Sequence, residues 1–461
     1  MSHQDLNVAC KADCLKLALQ WLFSGVNWSS IRFRDDCSWS PRRLCMAGLF
    51  WSCSNEKTLD DRFRSTRKIL HFLDPDQDKL ASSYQAFMKM LTRWTTPLVA
   101  LLLPALRRRM RTALAQLWHT DGWLLFGVDG SRIQLPRTKS HEAAYSAARK
   151  KKKKKKSTKR VSTKHAKKAN SPQMWITTLW HAGTSLPWAW RTGPADSSER
   201  AHLLDMLPEL PAPSMIAADA GFVGYENMQA ILEKGHNFLI RVGANVRLLR
   251  ELGFARESQN TVYLWPDKQA KKHAPPIVLR LIVVQNGKHP VYLVTNVLSA
   301  KQLSAAQVVR LYRRRWGIEV FFRSLKQTYE RRKLHSKKAE HARVELDWSM
   351  VSLWAMALYA LVQVRTGEEP KLRVSIAGML RGFRHTMRDY RHPRERGDSM
   401  RNQLKLAVID NYERTDKTSR DYPFKKKEKP PDKPKILLAT NFQKQQAIIV
   451  KQEQMQIRLT A

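Results

Sequence analysis

Tyr312, Arg315, Glu319 and Lys326 stand with two, three and six residues between successive members, inside the segment LYRRRWGIEVFFRSLKQTY at 311–329. At ~3.6 residues per turn, offsets of 0, 3, 7 and 14 fall on one stripe of a helix, and Arg323 at offset 11 joins them. A carboxylate ringed by cations and a phenol on one helix face suits a metal-bound phosphodiester. The plainer alternative is a surface ion pair of Glu319 with Arg315 or Arg323, at the four-residue spacing that brings helix neighbours together. That alternative leaves two upstream carboxylates unexplained. Asp129 lies in WLLFGVDGSRIQLP and Asp219 in SMIAADAGF, each following an apolar stretch.

The three carboxylates, in the chain order Asp129, Asp219, Glu319, match the needs of in-line attack on a phosphodiester. Such attack requires an activated oxygen nucleophile and a stabilised leaving oxygen. Two Mg²⁺ ions about 3.5–4 Å apart supply both, and Mg²⁺ prefers hard carboxylate oxygens while keeping several waters. The expectation is that Asp129 bridges both ions, with Asp219 and Glu319 completing one site each and Mn²⁺ as a substitute metal. No histidine base is needed.

These side chains need a frame. Residues 123–135 read as an apolar strand running into Asp129 and then a second extended piece. MWITTLWH and LPWAWRTG read as strands, SSERAHLLDML as a helix capped by Ser197 or Ser198, and SMIAA as a short strand ending at Asp219. YENMQAILEKG is a helix closed by Gly235, and HNFLIRVG is another strand. Both aspartates are thus expected at strand ends. VYLWP, PIVLRLIVVQNG and PVYLVTNV form a β-rich stretch with an Asn-Gly turn and no clear helix, and an apolar helix over 344–364 should pack behind the 311–329 helix. Residues 40–73 read as two helices, with Ser40 as N-cap and Pro41 at the first helical position. They suit either a helix-turn-helix-like module or a plain helical bundle with a basic face.

The spacing Y-x2-R-x3-E-x6-K, with VDGSRI around Asp129 and ADAGFVG around Asp219, resembles the catalytic core of DDE transposases of the insertion-sequence-4 family. The resemblance covers residues 120 to 365 or so. It implies an α/β (α+β) fold: an RNase H-like mixed-sheet core with a β-rich insertion, preceded by a helical N-terminal domain. The corresponding divisions are 1–115, helical and DNA-end binding; 116–242, first part of the core; 243–302, the insertion; 303–368, second part of the core; and 369–461, basic and partly linker-like. The resemblance also implies cut-and-paste transposition through a hairpin at the DNA end, by a homodimer acting on element ends and target duplex. Tyr312, Arg315 and Lys326 would then handle phosphates near the cut end. Trp316 and Trp265 are stacking candidates for a displaced base, with ordinary core packing as the alternative for both. The N-terminal region has no motif that transfers residue by residue.

Composition agrees with a polyanionic partner. Lys plus Arg number 82 against 40 Asp plus Glu, a formal charge of +42, which calls for DNA, RNA or an acidic surface. Fifteen Trp and fifteen Phe argue against a wholly disordered basic tail. The lysine run in 149–170 is not part of the family motif and reads as a phosphate-hugging loop or a merely solubilising one. The five cysteines lie in the first 53 residues without C-x2-C pairs, so reduced thiols are expected rather than zinc. The apolar runs at 96–106 and 348–362 fall short of the roughly 18–20 residues that cross a bilayer. The expected setting is cytoplasmic and nucleoid-associated, without a membrane. Two rival readings remain: a metal-dependent nuclease without strand transfer, and a catalytically silent transposase-derived DNA binder.

Overall fold

The computed structural model describes residues 10–74, 83–146, 171–286, 289–364, 374–392, 400–408 and 432–460. The Lys-rich loop at 149–170 and most of the linker-like stretch lie outside these residues.

The chain opens with four helices, α1 (Lys11–Phe23), α2 (Pro41–Cys53), α3 (Leu59–Leu73) and α4 (Tyr84–Ala113). Ser40 caps α2 by accepting from the Arg43 N–H, with Pro41 at the first position, and Thr58 caps α3 in the same way through the Asp61 N–H. Both use the oxygen to satisfy an N–H that the helix itself cannot. α2 is buried from Arg43 to Cys53, whereas α3 keeps Arg64, Arg67, Lys68 and His71 exposed.

The core follows as β1 (Leu125–Gln134), α5 (Lys139–Tyr145), β2 (Gln173–His181), β3 (Leu186–Gly193), α6 (Glu199–Met206), β4 (Met215–Ala218), α7 (Tyr225–Glu233) and β5 (Asn237–Val242). β1, β2 and β3 form an antiparallel meander, and β4 and β5 add in parallel beyond β1. The order β3-β2-β1-β4-β5 is the RNase H-like arrangement. β4 is buried throughout, as a parallel strand covered on both faces should be.

The β-rich stretch is β6 (Arg247–Arg250), β7 (Thr261–Leu264), the short helix α8 (Asp267–Ala270), β8 (Ile277–Asn286) and β9 (His289–Thr295). It is not a separate layer. β9 pairs antiparallel with β5, from Leu239↔Thr295 to Val242↔Tyr292, so one ten-stranded sheet runs through the core and this stretch. α8 is a helix that the sequence reading lacked.

Two helices, α9 (Ala305–Arg315) and α10 (Gly317–Arg323), carry the motif, followed by a π-helical turn at Ser324–Thr328. The single straight helix expected over 311–329 is therefore corrected. The break at Trp316 lets Gly317 lie directly on the Trp180 ring, where no Cβ would fit. α11 (Ala339–Val364) is buried along most of its length and packs between β3 and the helices α2 and α4. There the Trp348 ring fills the space where a Cβ on Gly48 would stand, and its Nε1–H donates to Thr95 Oγ1 at 2.9 Å. Arg331 is 1% exposed and ties this junction to the motif, donating to Ser52 O, Tyr329 O and Ser349 Oγ at 2.7 Å each.

α12 (Ile376–Arg388) and α13 (Met400–Lys405) return to the helical layer. β10 (Lys435–Leu438) then pairs in parallel with β6 at the sheet edge, and α14 (Asn441–Thr460) follows. Lys435 and Ile436, read as part of a linker, are thus in a strand, because β6 offers them a free row of backbone partners.

Candidate active site

Asp129 sits inside β1, opposite Thr178 of β2, and not at a strand end. The reason is the asymmetry of its neighbours. The parallel partner β4 stops pairing at Gly127↔Ala217, while the antiparallel ladder with β2 continues to Gln134↔Gln173. Asp129 therefore has a strand partner on one side and none on the other, where Arg315 approaches it. Its Oδ1 accepts from the Gly130 N–H at 2.8 Å. Asp219 comes directly after β4, as expected, and caps the next turn by accepting from the Gly221 N–H at 2.8 Å.

Glu319 lies in the first turn of α10. Arg315, the last residue of α9, reaches Glu319 Oε1 through Nη2 at 3.1 Å and Asp129 Oδ2 through Nη1 at 4.0 Å. It also lies over the Tyr312 ring, 5.6 Å from the centroid. The ion pair weighed as a plainer explanation of Glu319 does exist, but Arg315 is 9% exposed and also faces Asp129, so this is not a surface pair.

The electrostatics follow from crowding. Burial pushes Asp129 up to about 6; the Gly130 N–H and Arg315 oppose the shift, and Asp219 and Glu319 add to it. For Arg315, burial works to lower the pKa, but Tyr312, Asp129 and Glu319 together carry it upward. Burial raises Tyr312. Lys326 is lowered by burial and by Arg332, against the pull of Asp129. It lines a groove of about 560 Å³ with Pro136, Arg332, Lys333 and His335.

The remaining candidates separate clearly. Trp316 is 61% exposed, an unusual place for so large an aromatic. Trp265 is 4% exposed and its Nε1–H donates to Ala274 O at 2.8 Å, so it is a core residue and not an open stacking face. Arg323 is exposed on α10.

Sequence reading missed Glu199, the first residue of α6 behind the Ser198 cap. Burial, with Asp129 and Asp219 next in effect, raises it to about 7. In the sequence it reads only as an acidic residue in a helix's first turn, a common feature. Its neighbour Arg200 donates Nε–H to Gly221 O at 2.7 Å and so ties α6 to the turn that carries Asp219.

Hard carboxylate oxygens, here from Asp129 within β1, Asp219 just after β4 and Glu319 on α10, are the donor type a divalent cation takes. Among the described residues, no three His, Cys, Asp or Glu side chains are gathered to hold a metal. Arg315 instead supplies the positive charge beside Asp129 and Glu319, and its buried Nε–H has no acceptor.

The family model described as "Transposase DDE domain" matches residues 125–355, just over half of the chain. The chain belongs to the transposase DDE-domain family. The curated relative "Transposase InsG for insertion sequence element IS4", from Escherichia coli strain K12, is 25% identical over 274 residues. That alignment covers 56% of this chain and 58% of the relative's length. It agrees with the insertion-sequence-4 resemblance carried by the motifs. A solved cryo-EM structure, the piggyBac transposase synaptic complex with hairpin DNA, is similar over 90% of this chain and 89% of its own, at 13% identity and a TM-score of 0.41. The match to the DDE domain begins at the first residue of β1 and ends within α11, so it takes in the whole carboxylate cluster. Among the described residues, no helix is long and apolar enough to cross a membrane.

Proposed function

We propose that the chain is an insertion-sequence transposase that cuts DNA at the ends of its element and joins those ends to a target. Asp129, Asp219 and Glu319 would hold the metal. When bound, two divalent ions, Mg²⁺ or Mn²⁺, supply an activated oxygen nucleophile and charge on the leaving oxygen. The single observation that carries this reading is the shared electrostatic field of those carboxylates around the buried Arg315, at the open side of β1.

The chain's own residues then have distinct tasks. Arg315 neutralises Glu319 and Asp129 while no cation does, and a planar guanidinium released from them can grip a phosphate through two N–H groups. Lys326, with Arg332 and Lys333 in the adjoining groove, offers point charges to the DNA backbone. The exposed Trp316 offers a face for a base displaced from the end, a contact worth about 1–3 kcal/mol. In this reading the freed 3′-OH attacks the opposite strand, forms a hairpin, and after reopening attacks the target. Two ends processed together call for a homodimer assembled on DNA, in a cytoplasmic, nucleoid-associated setting. The net charge of +42 supports a DNA partner.

The test is cleavage of a labelled duplex carrying the element end, with Mg²⁺ or with EDTA, on a denaturing gel. A slow hairpin band that needs Mg²⁺ and disappears in Glu319→Ala is expected. Plain nicks or breaks would leave a nuclease, and tight binding without scission would leave a silent binder.

A further inference from the structure

Three residues beyond Asp129, β1 carries an arginine laid on an aromatic ring. Arg132 stands directly opposite Trp175 of β2, and opposite residues of a strand pair share a face of the sheet. Its Cζ lies over the Trp175 ring, 4.9 Å from the centroid. The ring is itself set against β1 beside Asp129: its Nε1 lies 2.8 Å from where a Cβ on Gly130 would stand. A guanidinium spread on such a face keeps its fork of N–H groups pointing outward and loses little freedom on meeting an anion.

Other cations near the carboxylates are already engaged. Arg315 is bonded to Glu319 and faces Asp129, and Arg200 donates to Gly221 O. Arg132 is exposed, and among the described residues it forms no hydrogen bond and no ion pair. Its charge does reach Glu199, where it opposes the rise that burial and the two aspartates impose. That field leaves its donors unused, since no bond joins the two side chains.

The place of Arg132 along the strand is a separate observation. β4 stops pairing with β1 at Gly127, so Arg132 has a strand partner on the β2 side alone. Beyond it, β1 meets the segment carrying Arg332 and Lys333 through the bridge Gln134↔Lys333, and then reaches Pro136 in the groove lined by Lys326. Three residues of strand span about 10 Å. On β1, Arg132 therefore stands between the carboxylates and the cations of that groove, on the line a polyanionic strand would follow from one to the other.

We propose that Arg132, held flat on Trp175, grips a backbone phosphate of the DNA strand that runs along β1 from the reaction centre into the groove. This rests on the reading above in taking DNA as the partner. Trp175 is a positioning residue that acts through Arg132.

The experiment is binding of the full chain to the labelled end duplex in EDTA, by fluorescence anisotropy over a salt series. Wild type is compared with Arg132→Met, Trp175→Leu, both together, and Arg132→Met combined with Glu199→Gln. Methionine still covers the ring but carries no charge, so Arg132→Met should melt as wild type does. It is expected to reduce the slope of log K against log salt by about 0.9, the loss of one phosphate contact. Trp175→Leu should weaken binding when Arg132 is present and change nothing further in Arg132→Met. An Arg132→Met chain with the wild-type slope overturns the proposal and leaves the DNA reading standing. A slope restored by adding Glu199→Gln also overturns it, because Arg132 would then serve only as a counter-charge to Glu199. A wild-type chain that does not bind the duplex fails the DNA reading, and this contact with it.

Discussion

Asp129 carries a pH dependence whose sign can be worked out. Its carboxyl is raised from 3.8 to about 6, so the folded chain holds that proton more tightly than the unfolded chain does. This group's contribution to stability is therefore largest below pH 4 or so. It falls as pH rises from about 4 to about 6, and is flat above. In EDTA at pH 8, Asp129→Asn should melt higher than wild type, by on the order of 2–3 kcal/mol, since one pKa unit is about 1.4 kcal/mol. The gap should narrow by pH 5. Saturating Mn²⁺ should raise the wild type and not the variant; thermal scans with and without metal read all three. A variant that melts lower than wild type at pH 8 would mean that Asp129 is stabilising without a metal. The types and order of Asp129, Asp219 and Glu319 were legible in the sequence because each stands in a short motif of its own. Glu199 was not, since its position follows from two glycines distant in sequence whose missing side chains leave room for it. For Trp265, weighed between a stacking face and core packing, the structure settles on core packing, with its Nε1–H donating to Ala274 O.

At the level of elements, α9 and α10 show what periodicity captures and what it misses. The stripe of Tyr312, Arg315 and Glu319 is real, and Arg315 does face Asp129. The break at Trp316 was invisible because the Trp180 ring on which Gly317 lies belongs to a strand far away in sequence. That contact fixes the height of α10 over the sheet. Gly317→Ala inserts a methyl where Trp180 Cζ2 would be 2.7 Å away, so α10 or the ring must move. The expected cost is roughly 1–3 kcal/mol, as for overpacking in a core, together with loss of cleavage because Glu319 moves with α10. Calorimetry and the cleavage gel check both. Normal cleavage in a destabilised variant would show that the ring, not the helix, gives way. The strands were easier to read: β2, β3, β4 and β5 all appear as apolar runs between turn residues. Their order in the sheet, and the continuation of that sheet into β6–β9, came only from pairing.

On the scale of the whole molecule, one arginine joins regions that the sequence leaves far apart. Arg331 donates to Ser52 in α2, to Tyr329 beyond the motif and to Ser349 in α11. Each acceptor left without a donor in a buried place costs roughly 1–3 kcal/mol. Arg331→Ala should therefore lower stability by several kcal/mol and uncouple the helical layer from the sheet, seen as two melting transitions in place of one. Arg331→Lys should recover only part, because an ammonium cannot span three acceptors arranged around a planar fork. A single unchanged transition in Arg331→Ala would mean that apolar packing around Trp348 alone unites the layers. None of this was readable in the sequence, where Arg331 is one basic residue among many.

The outermost strand has a consequence for how the chain is made. β6 is synthesised long before β10, the strand that covers its edge. Through that interval the growing chain presents an unprotected row of amide and carbonyl groups beside Leu248 and Leu249. Such an edge accepts a strand from any chain that offers one. Neighbouring copies made on one messenger are the nearest source, and a β10 donated by a finished copy would lock it to one still being made. Dilution, slow initiation or a chaperone that shields β6 would then set how much active protein emerges.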